Sequence, residues 1–119
     1  MADHIHLFKP GTAITCAAGT AVIGGRLVQI TGPRQVGPAA ADSVSVFGTA
    51  AVDTEVGGDV LVLRGGVQNL TASAAITAGA RVKAAADGKV VTVGTSEAGL
   101  GLALTTVTAA DQPIQIALD

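Results

Sequence analysis

The sequence has 119 residues, of which 13% are charged, with Lys+Arg 7 against Asp+Glu 9 and a formal net charge of −2. This balance provides no basic surface for a nucleic-acid backbone, and an aromatic content of 2% provides no platform on which single-stranded bases could stack. The length fits a single compact domain, and an apolar content of 49% argues against disorder.

The first ten residues, 1–10, predict an extended N-terminal arm ahead of a single β domain at residues 11–119. Asp3, His4 and His6 precede any apolar run, and the segment lacks the charged start and apolar middle of a signal peptide. Further along, Gly, Thr or a charged residue interrupts every apolar stretch before the roughly 20 residues that a membrane helix needs. We therefore expect a soluble protein.

Strands are expected to dominate the domain, because 35 positions are Val, Ile or Thr, which pack well on a pleated sheet. Short runs of these residues alternate with Gly, Pro, Asp or Asn, which predicts an all-β fold, a small β-barrel or β-sandwich with short Gly/Pro turns. The predicted strands are residues 26–31, 43–52, 59–63, 67–71, 81–84, 89–93, 100–106 and 113–118. Apolar and polar residues alternate most regularly at 43–47 and 114–118.

Three glycine-containing segments predict chain reversals. Asp87-Gly88 supplies the positive φ angles that a two-residue hairpin turn demands. Gly32-Pro33-Arg34 and Gly65-Gly66 separate further pairs of strands. Residues 39–42 and 72–75 could each form one helical turn, but neither has the length of a stable helix.

A weak internal similarity recurs at residues 22–28, 55–61 and 77–83. Each segment contains a glycine, a small residue and a charged residue before an apolar strand start. The copies are 33 and then 22 residues apart, so the pattern indicates a recurring turn into a strand and not a repeat of fixed period.

Few residues could carry catalysis or bind a metal ion. His4 and His6 would face the same side of an extended segment, but a metal site needs further ligands and the chain has no other histidine. The single cysteine, Cys16, can form no internal disulfide, which favours a reducing compartment. Since every Ser-His-Asp or Cys-His arrangement would depend on the same two histidines, we predict no catalytic residue, cofactor or metal.

Other polar groups have ordinary structural interpretations. Asp53 and Glu55 have the spacing of two carboxylates on one strand face, but no Trp or Tyr is available to stack on a sugar, so a solvated turn is expected. Lys83 and Lys89 flank the predicted hairpin turn, whereas a biotin or lipoyl carrier places its modified lysine at the tip. The composition thus favours a β module that acts by fitting against other proteins.

The order and spacing of these turns and strands give the chain a resemblance to a known family. The segments that carry it are His4-Ile5-His6-Leu7-Phe8-Lys9-Pro10-Gly11 and residues 13–16, 22–28, 32–39, 45–50, 65–72 and 99–105. They resemble the small capsid decoration proteins, or cement proteins, of tailed bacteriophages, over nearly the whole chain.

The resemblance implies a structural virion protein, not an enzyme, that is made in the host cytoplasm and assembles on the outer surface of the capsid. Its implied partners are the major capsid protein and further copies of itself, commonly as a homotrimer that holds neighbouring capsid subunits together. The arm is the candidate capsid contact, because an extended segment can add a strand to an exposed edge. The candidate residues are His4, Ile5, His6, Leu7, Phe8 and Lys9.

Three alternatives stay open. The arm could instead fold onto its own barrel. The chain could be another phage or bacterial assembly component, such as a tail-tube, head-completion or adhesin module, which would form a larger ring or bind tails. A small ligand-binding or enzymatic barrel is the third alternative, and the shortage of His, Cys, Tyr and Trp counts against it.

Overall fold

The computed structural model describes residue 7, residues 11–94 and residues 99–119, and their regular structure is nearly all β. The strands are β1 Ile14–Ala18, β2 Leu27–Gly32, β3 Gln35–Pro38, β4 Val46–Ala50, β5 Asp59–Leu63, β6 Gly66–Thr71, β7 Arg81–Ala84, β8 Val90–Thr92, β9 Gly101–Ala103 and β10 Pro113–Leu118. A single 3-10 turn, Ala86–Gly88, is the only helical element in these ranges. The prediction of an all-β fold is confirmed.

Strands β1 to β5 form a closed barrel in the order β1-β3-β2-β4-β5. Strand β5 pairs back with β1, which closes the barrel, and all pairs except the parallel β1–β3 pair are antiparallel. Alternate side chains point inward, as the pleat of a strand requires. The barrel core consists of Cys16, Ala18, Val22, Val28, Val36, Ala50, Val60 and Val62.

Strands β6 to β10 form a second sheet in the order β6-β10-β9-β7-β8. This sheet curls strongly, so that its two edges meet at one parallel bridge between Ala72 and Val90. Its core includes Leu70, Ile76, Val82, Val90, Ile114 and Ile116. The second sheet is therefore nearly a barrel of its own.

The barrel and the second sheet share a core at their junction. Leu27 and Ala39 extend from the barrel into the core of the second sheet. The β7–β8 turn docks there, where the Gly88 amide donates to the Ala39 carbonyl at 2.9 Å. A salt bridge of 2.7 Å between Lys83 and Asp42 crosses the same junction. The two sheets thus pack as one unit.

The two sheets have the same topology, strand for strand. The parallel bridge Ala18↔Val36 of the barrel corresponds to Ala72↔Val90, 54 positions later at both ends. The same shift relates the pairing of β2 with β3 to the pairing of β7 with β8. Outside the strands, the antiparallel bridge Val22↔Thr54 corresponds to Ile76↔Val107. The chain is therefore an internal duplication of one five-stranded unit.

The duplication explains the uneven spacing of the internal similarity. The turns that contain Gly25 and Gly57 belong to the barrel, and the Gly79 turn belongs to the second sheet. A fourth copy has Asp111 in place of glycine, also with a positive φ of 64°. Asp111 follows the same pattern as Gly57. The Gly57 amide donates to the carbonyl of Ala18, the last residue of β1, and the Asp111 amide donates to the carbonyl of Ala72, which directly follows β6.

The strand predicted at residues 43–52 is too long at both ends, because β4 covers only Val46–Ala50. Strand β4 begins only at Val46, and the Val44 side chain is 100% exposed. The preceding chain forms a turn instead, in which Asp42 has a φ of 59° and the Ser43 amide donates to the Ala40 carbonyl. The alternation at residues 43–47 therefore lies mostly in a loop, whereas the alternation at 114–118 is confirmed by the burial of Ile114 and Ile116.

The turn predictions have mixed outcomes. The hairpin at Asp87-Gly88 is confirmed, with φ values of 59° and 72°, but its loop is the longer 3-10 turn Ala86–Gly88 and not the predicted two-residue turn. The Gly32-Pro33-Arg34 reversal joins β2 to antiparallel β3. The Gly65-Gly66 segment is not a hairpin, because β5 and β6 lie in different sheets. Its two positive φ values of 65° let the chain leave the barrel for the second sheet.

Other sequence expectations can also be compared with the structure. No helical turn forms at residues 39–42 or 72–75. Strand β1 was not among the predicted strands, and it is completed by pairing with the distant strands β3 and β5. Strand β3 was not given bounds either, but it is the antiparallel partner that follows the predicted reversal after β2. The strand predicted at 100–106 is short, because the chain turns away after Ala103 to form the bridge at Val107.

Candidate functional site

The predicted capsid-contact segment lies almost wholly outside the described residues. His4, Ile5, His6, Phe8 and Lys9 are not among them. Leu7 is described and is 92% exposed. The prediction that this arm contacts a capsid is therefore still a prediction.

Two of the groups considered for chemistry, Asp53 and Cys16, have structural roles. The Asp53 carboxylate accepts a hydrogen bond of 2.8 Å from the Gly24 amide and so fastens the turn before β2. This turn is tight, because a Cβ on Gly24 would lie 2.9 Å from the Val52 backbone. The thiol of Cys16 is buried in the barrel core.

The two lysines beside the β7–β8 hairpin are both in ion pairs. Lys83 pairs with Asp42, and Lys89 pairs with Asp111 at 2.7 Å. The hydrogen bond from Lys89 lowers the pKa of Asp111 below its ordinary value, and the charge of Arg26 adds to the effect. These lysines join neighbouring segments and are not displayed at the turn tip.

A cleft of about 270 Å³ lies where the β7–β8 hairpin meets the barrel. Its walls are largely apolar, and Arg26 and Asp87 are its charged residues. The Nε atom of Arg26 is buried and has no hydrogen-bond partner among the described residues. The cleft therefore combines an apolar surface with a guanidinium group that could donate a hydrogen bond to a carboxylate.

The outer face of the second sheet carries an exposed apolar row, which we call the outer row. Val67 of β6, Ala117 of β10 and Leu102 of β9 are direct cross-strand neighbours in it. Val67 is 58% and Leu102 is 36% exposed. Arg81 of β7 is the next neighbour, and its guanidinium donates to both carboxylate oxygens of Asp119, which lowers the pKa of that group. The row is thus uncharged, with a neutralised pair at one end.

Within residues 7, 11–94 and 99–119, no group of three or more His, Cys, Asp or Glu side chains is placed to hold a metal ion. The same residues contain no helix long and apolar enough to cross a membrane.

Residues 8–118 match the phage cement protein family. The chain belongs to that family. This phage cement protein is accordingly a structural protein of the phage head, located on the exterior of the capsid. The match starts within the predicted arm and continues through both halves of the duplication to the end of β10.

The fold of this cement protein also occurs in a solved structure, the head fiber gp8.5 N base of bacteriophage phi29. The TM-score is 0.75 at 18% sequence identity, and the similarity covers 91% of this chain and 93% of that chain. At this level of identity the comparison establishes a shared fold. No curated protein sequence matches the chain.

Proposed function

We propose that this cement protein is a non-enzymatic clamp that binds the outer face of a phage head as a homotrimer and stabilises contacts between major capsid subunits. The observation that carries the proposal is the family match over residues 8–118, which includes both halves of the duplicated fold. A role on the head is favoured over a role in the tail for the same reason.

The contacts of the polar residues support a non-enzymatic role. Asp53 fastens a turn, Lys83 and Lys89 are held in ion pairs, and Cys16 is enclosed in the barrel core. These four groups therefore contribute to the fold.

The composition of the core supports self-association. Its two clusters are built largely from Ala and Val, which bury less apolar area than larger side chains. An oligomer buries additional apolar surface, and cyclic symmetry repeats the same interface in each subunit. Many copies on one shell then add their modest individual affinities through multivalency.

Electron microscopy of phage heads incubated with the purified protein tests the proposal. We expect additional density on the outer surface at three-fold and quasi-three-fold positions, and no binding to free capsid monomers. The matched control is the same protein after heat denaturation, which should leave the heads bare. Heads that stay bare with native protein, or density confined to tails, would contradict the proposal.

A further inference from the structure

The internal duplication allows the outer row to be compared with its counterpart in the barrel. Leu102 of β9 corresponds to Thr49 of β4, and Ala117 of β10 corresponds to Leu63 of β5. The register is the same in both, since Leu102 lies opposite Ala117 as Thr49 lies opposite Leu63. The two rows are therefore the same surface of the same fold.

The row continues identically into the next strand of each sheet. Arg81 of β7 lies opposite Leu102, and Leu27 of β2 lies opposite Thr49. At the other end, Val67 of β6 is shifted by the same 54 positions from Ala13, which directly precedes β1. Each member of the outer row thus has an identified counterpart in the barrel.

The counterpart row in the barrel is covered by the second sheet at its Leu27 end, whereas Ala13 and Leu63 at its other end are half-buried. Leu27 and Thr49 are buried, and Leu27 packs among the core residues of the second sheet. The Gly88 turn lies directly against the Leu27 carbonyl. Within one chain, part of this face of the five-stranded unit is therefore covered by another copy of the same unit, whereas Val67 and Leu102 of the outer row stay exposed and Ala117 is half-buried.

We propose that the outer row, Val67, Ala117 and Leu102, is the surface through which this protein associates with a second copy of itself. The inference rests on the proposed homotrimer and assigns its contact surface. Such a contact joins one face of a subunit to a different face of the next subunit, which makes it head-to-tail. Head-to-tail contacts form a closed ring when the rotation between neighbouring subunits divides a full turn evenly.

The charges around the row favour a second copy over a strongly acidic or basic partner. The row itself is uncharged, and the adjacent Arg81 and Asp119 already neutralise each other. Leu104 extends the apolar surface beyond β9 and is also exposed. An apolar centre with a polar rim is the usual anatomy of a subunit interface.

Substitution of the row tests the proposal on the full-length chain. Leu102→Lys and Val67→Lys each place a charge in the centre of the proposed contact, on different strands. Leu61→Lys is the matched control, since Leu61 is a strand residue of the barrel with a similar exposure of 42%. Association is measured by sedimentation equilibrium, and the fold of each variant by far-ultraviolet circular dichroism.

We expect the native chain and Leu61→Lys to form the same oligomer, and each row variant to weaken association by about tenfold or more. A monomeric native chain, row variants that associate like the native chain, or an equal loss in Leu61→Lys would overturn the inference. If Leu102→Lys does not fold, Val67→Lys at the more exposed position decides the result. Footprinting of the native chain by carbene labelling gives an independent measurement, with protection of Val67 and Leu102 expected in the oligomer and unprotected side chains contradicting it.

Head binding separates this inference from the proposed function. If the native oligomer depends on the outer row but does not decorate phage heads, the proposed function fails and the inference stands. If heads are decorated and the row variants stay oligomeric, the inference fails and the proposed function stands.

Discussion

Thr49 is a buried polar residue of the barrel, and the equivalent position in the second sheet holds an apolar residue. Its hydroxyl is buried and has no hydrogen-bond partner among the described residues, whereas the corresponding residue of the second sheet is Leu102. Burying a hydroxyl without a partner costs about 1–3 kcal/mol. The site is therefore compatible with an apolar side chain of the same shape.

We expect Thr49→Val to raise the free energy of unfolding by about 1 kcal/mol, because valine keeps the shape and removes the unpaired hydroxyl. Urea denaturation measures the change. Thr49→Ser is the control, since serine keeps the hydroxyl and loses the methyl group, and it should lower stability. A valine variant less stable than the native chain would mean that the hydroxyl has a partner.

Because of two exposed ion pairs, the free energy of unfolding should depend on pH in the acidic range. The pKa values of Asp111 and Asp119 lie below their ordinary range, mainly because Lys89 and Arg81 donate hydrogen bonds to them. A carboxyl group whose pKa is lower in the folded state than in the unfolded state stabilises the fold at every pH above its unfolded pKa. This contribution is lost as the pH falls through the pKa of the folded state. The contribution is small, because both carboxylates are exposed and screened by salt.

The double variant Asp111→Asn, Asp119→Asn should therefore melt below the native chain at neutral pH and converge with it in acid. Thermal unfolding followed between neutral pH and about pH 2 measures the difference. High salt is the control, since it should reduce the gap at neutral pH. A gap of constant size across the pH range would contradict this assignment.

At the scale of elements, local patterns predicted the strands whose partners are close in sequence or whose alternation is regular. Strands β5, β7 and β10 have the predicted bounds. Strand β1 was missed, because its pairing with β3 and β5 involves residues far along the chain and its Ile14–Ala18 sequence lacks a strong apolar alternation. The loop around Val44 shows the opposite error. Alternation alone suggests a strand from Ser43, but the turn at Asp42, with a φ of 59°, delays the start of β4 to Val46.

The duplication was not visible as a repeat in the amino-acid sequence, because the two halves of the chain have few identical residues at equivalent positions. The identities that remain include Val28 with Val82 and Val36 with Val90, all of which are buried. Gly25 with Gly79 is a further identity, and both have positive φ values. Selection for burial and for backbone conformation retains such positions, whereas outward-facing residues are free to differ. The uneven spacing of the three sequence copies was the available signal.

Docking of the β7–β8 hairpin onto the barrel depends on Gly88. A Cβ at this position would lie 2.4 Å from the Leu27 carbonyl oxygen, and its φ is 72°. Gly57 is a matched control, with a φ of 83° and no atom within 4 Å of a built Cβ. Gly57→Ala should cost about 1–2 kcal/mol from backbone strain alone.

Gly88→Ala should cost about 3 kcal/mol or more, because a steric clash at the junction is added to the strain. Chemical denaturation of both variants measures the difference. Equal losses for the two substitutions would show that the hairpin can move away from the barrel without cost.

At the scale of the whole molecule, the duplication supplies two five-stranded units, one of which covers a face of the other. The outer row is the equivalent of a face that the second sheet partly covers in the barrel, and its Val67 and Leu102 are exposed. In this arrangement each subunit would associate with another copy through the outer row of the second sheet, and the N-terminal arm would be available to bind the capsid. Self-association and capsid binding should then be separable by substitution.

The arm is the part of the chain with which this separation is tested. Deletion of residues 2–10 should abolish binding to phage heads and leave the oligomer unchanged, because an extended segment would contribute its main chain and apolar side chains to the shell. Replacing Ile5, Leu7 and Phe8 together by Ser should have the same effect at unchanged length. Head binding is measured by co-sedimentation and the oligomer by sedimentation equilibrium. A truncated chain that still decorates heads would remove the arm from the mechanism, and a truncated chain that dissociates would show that the arm holds the subunits together.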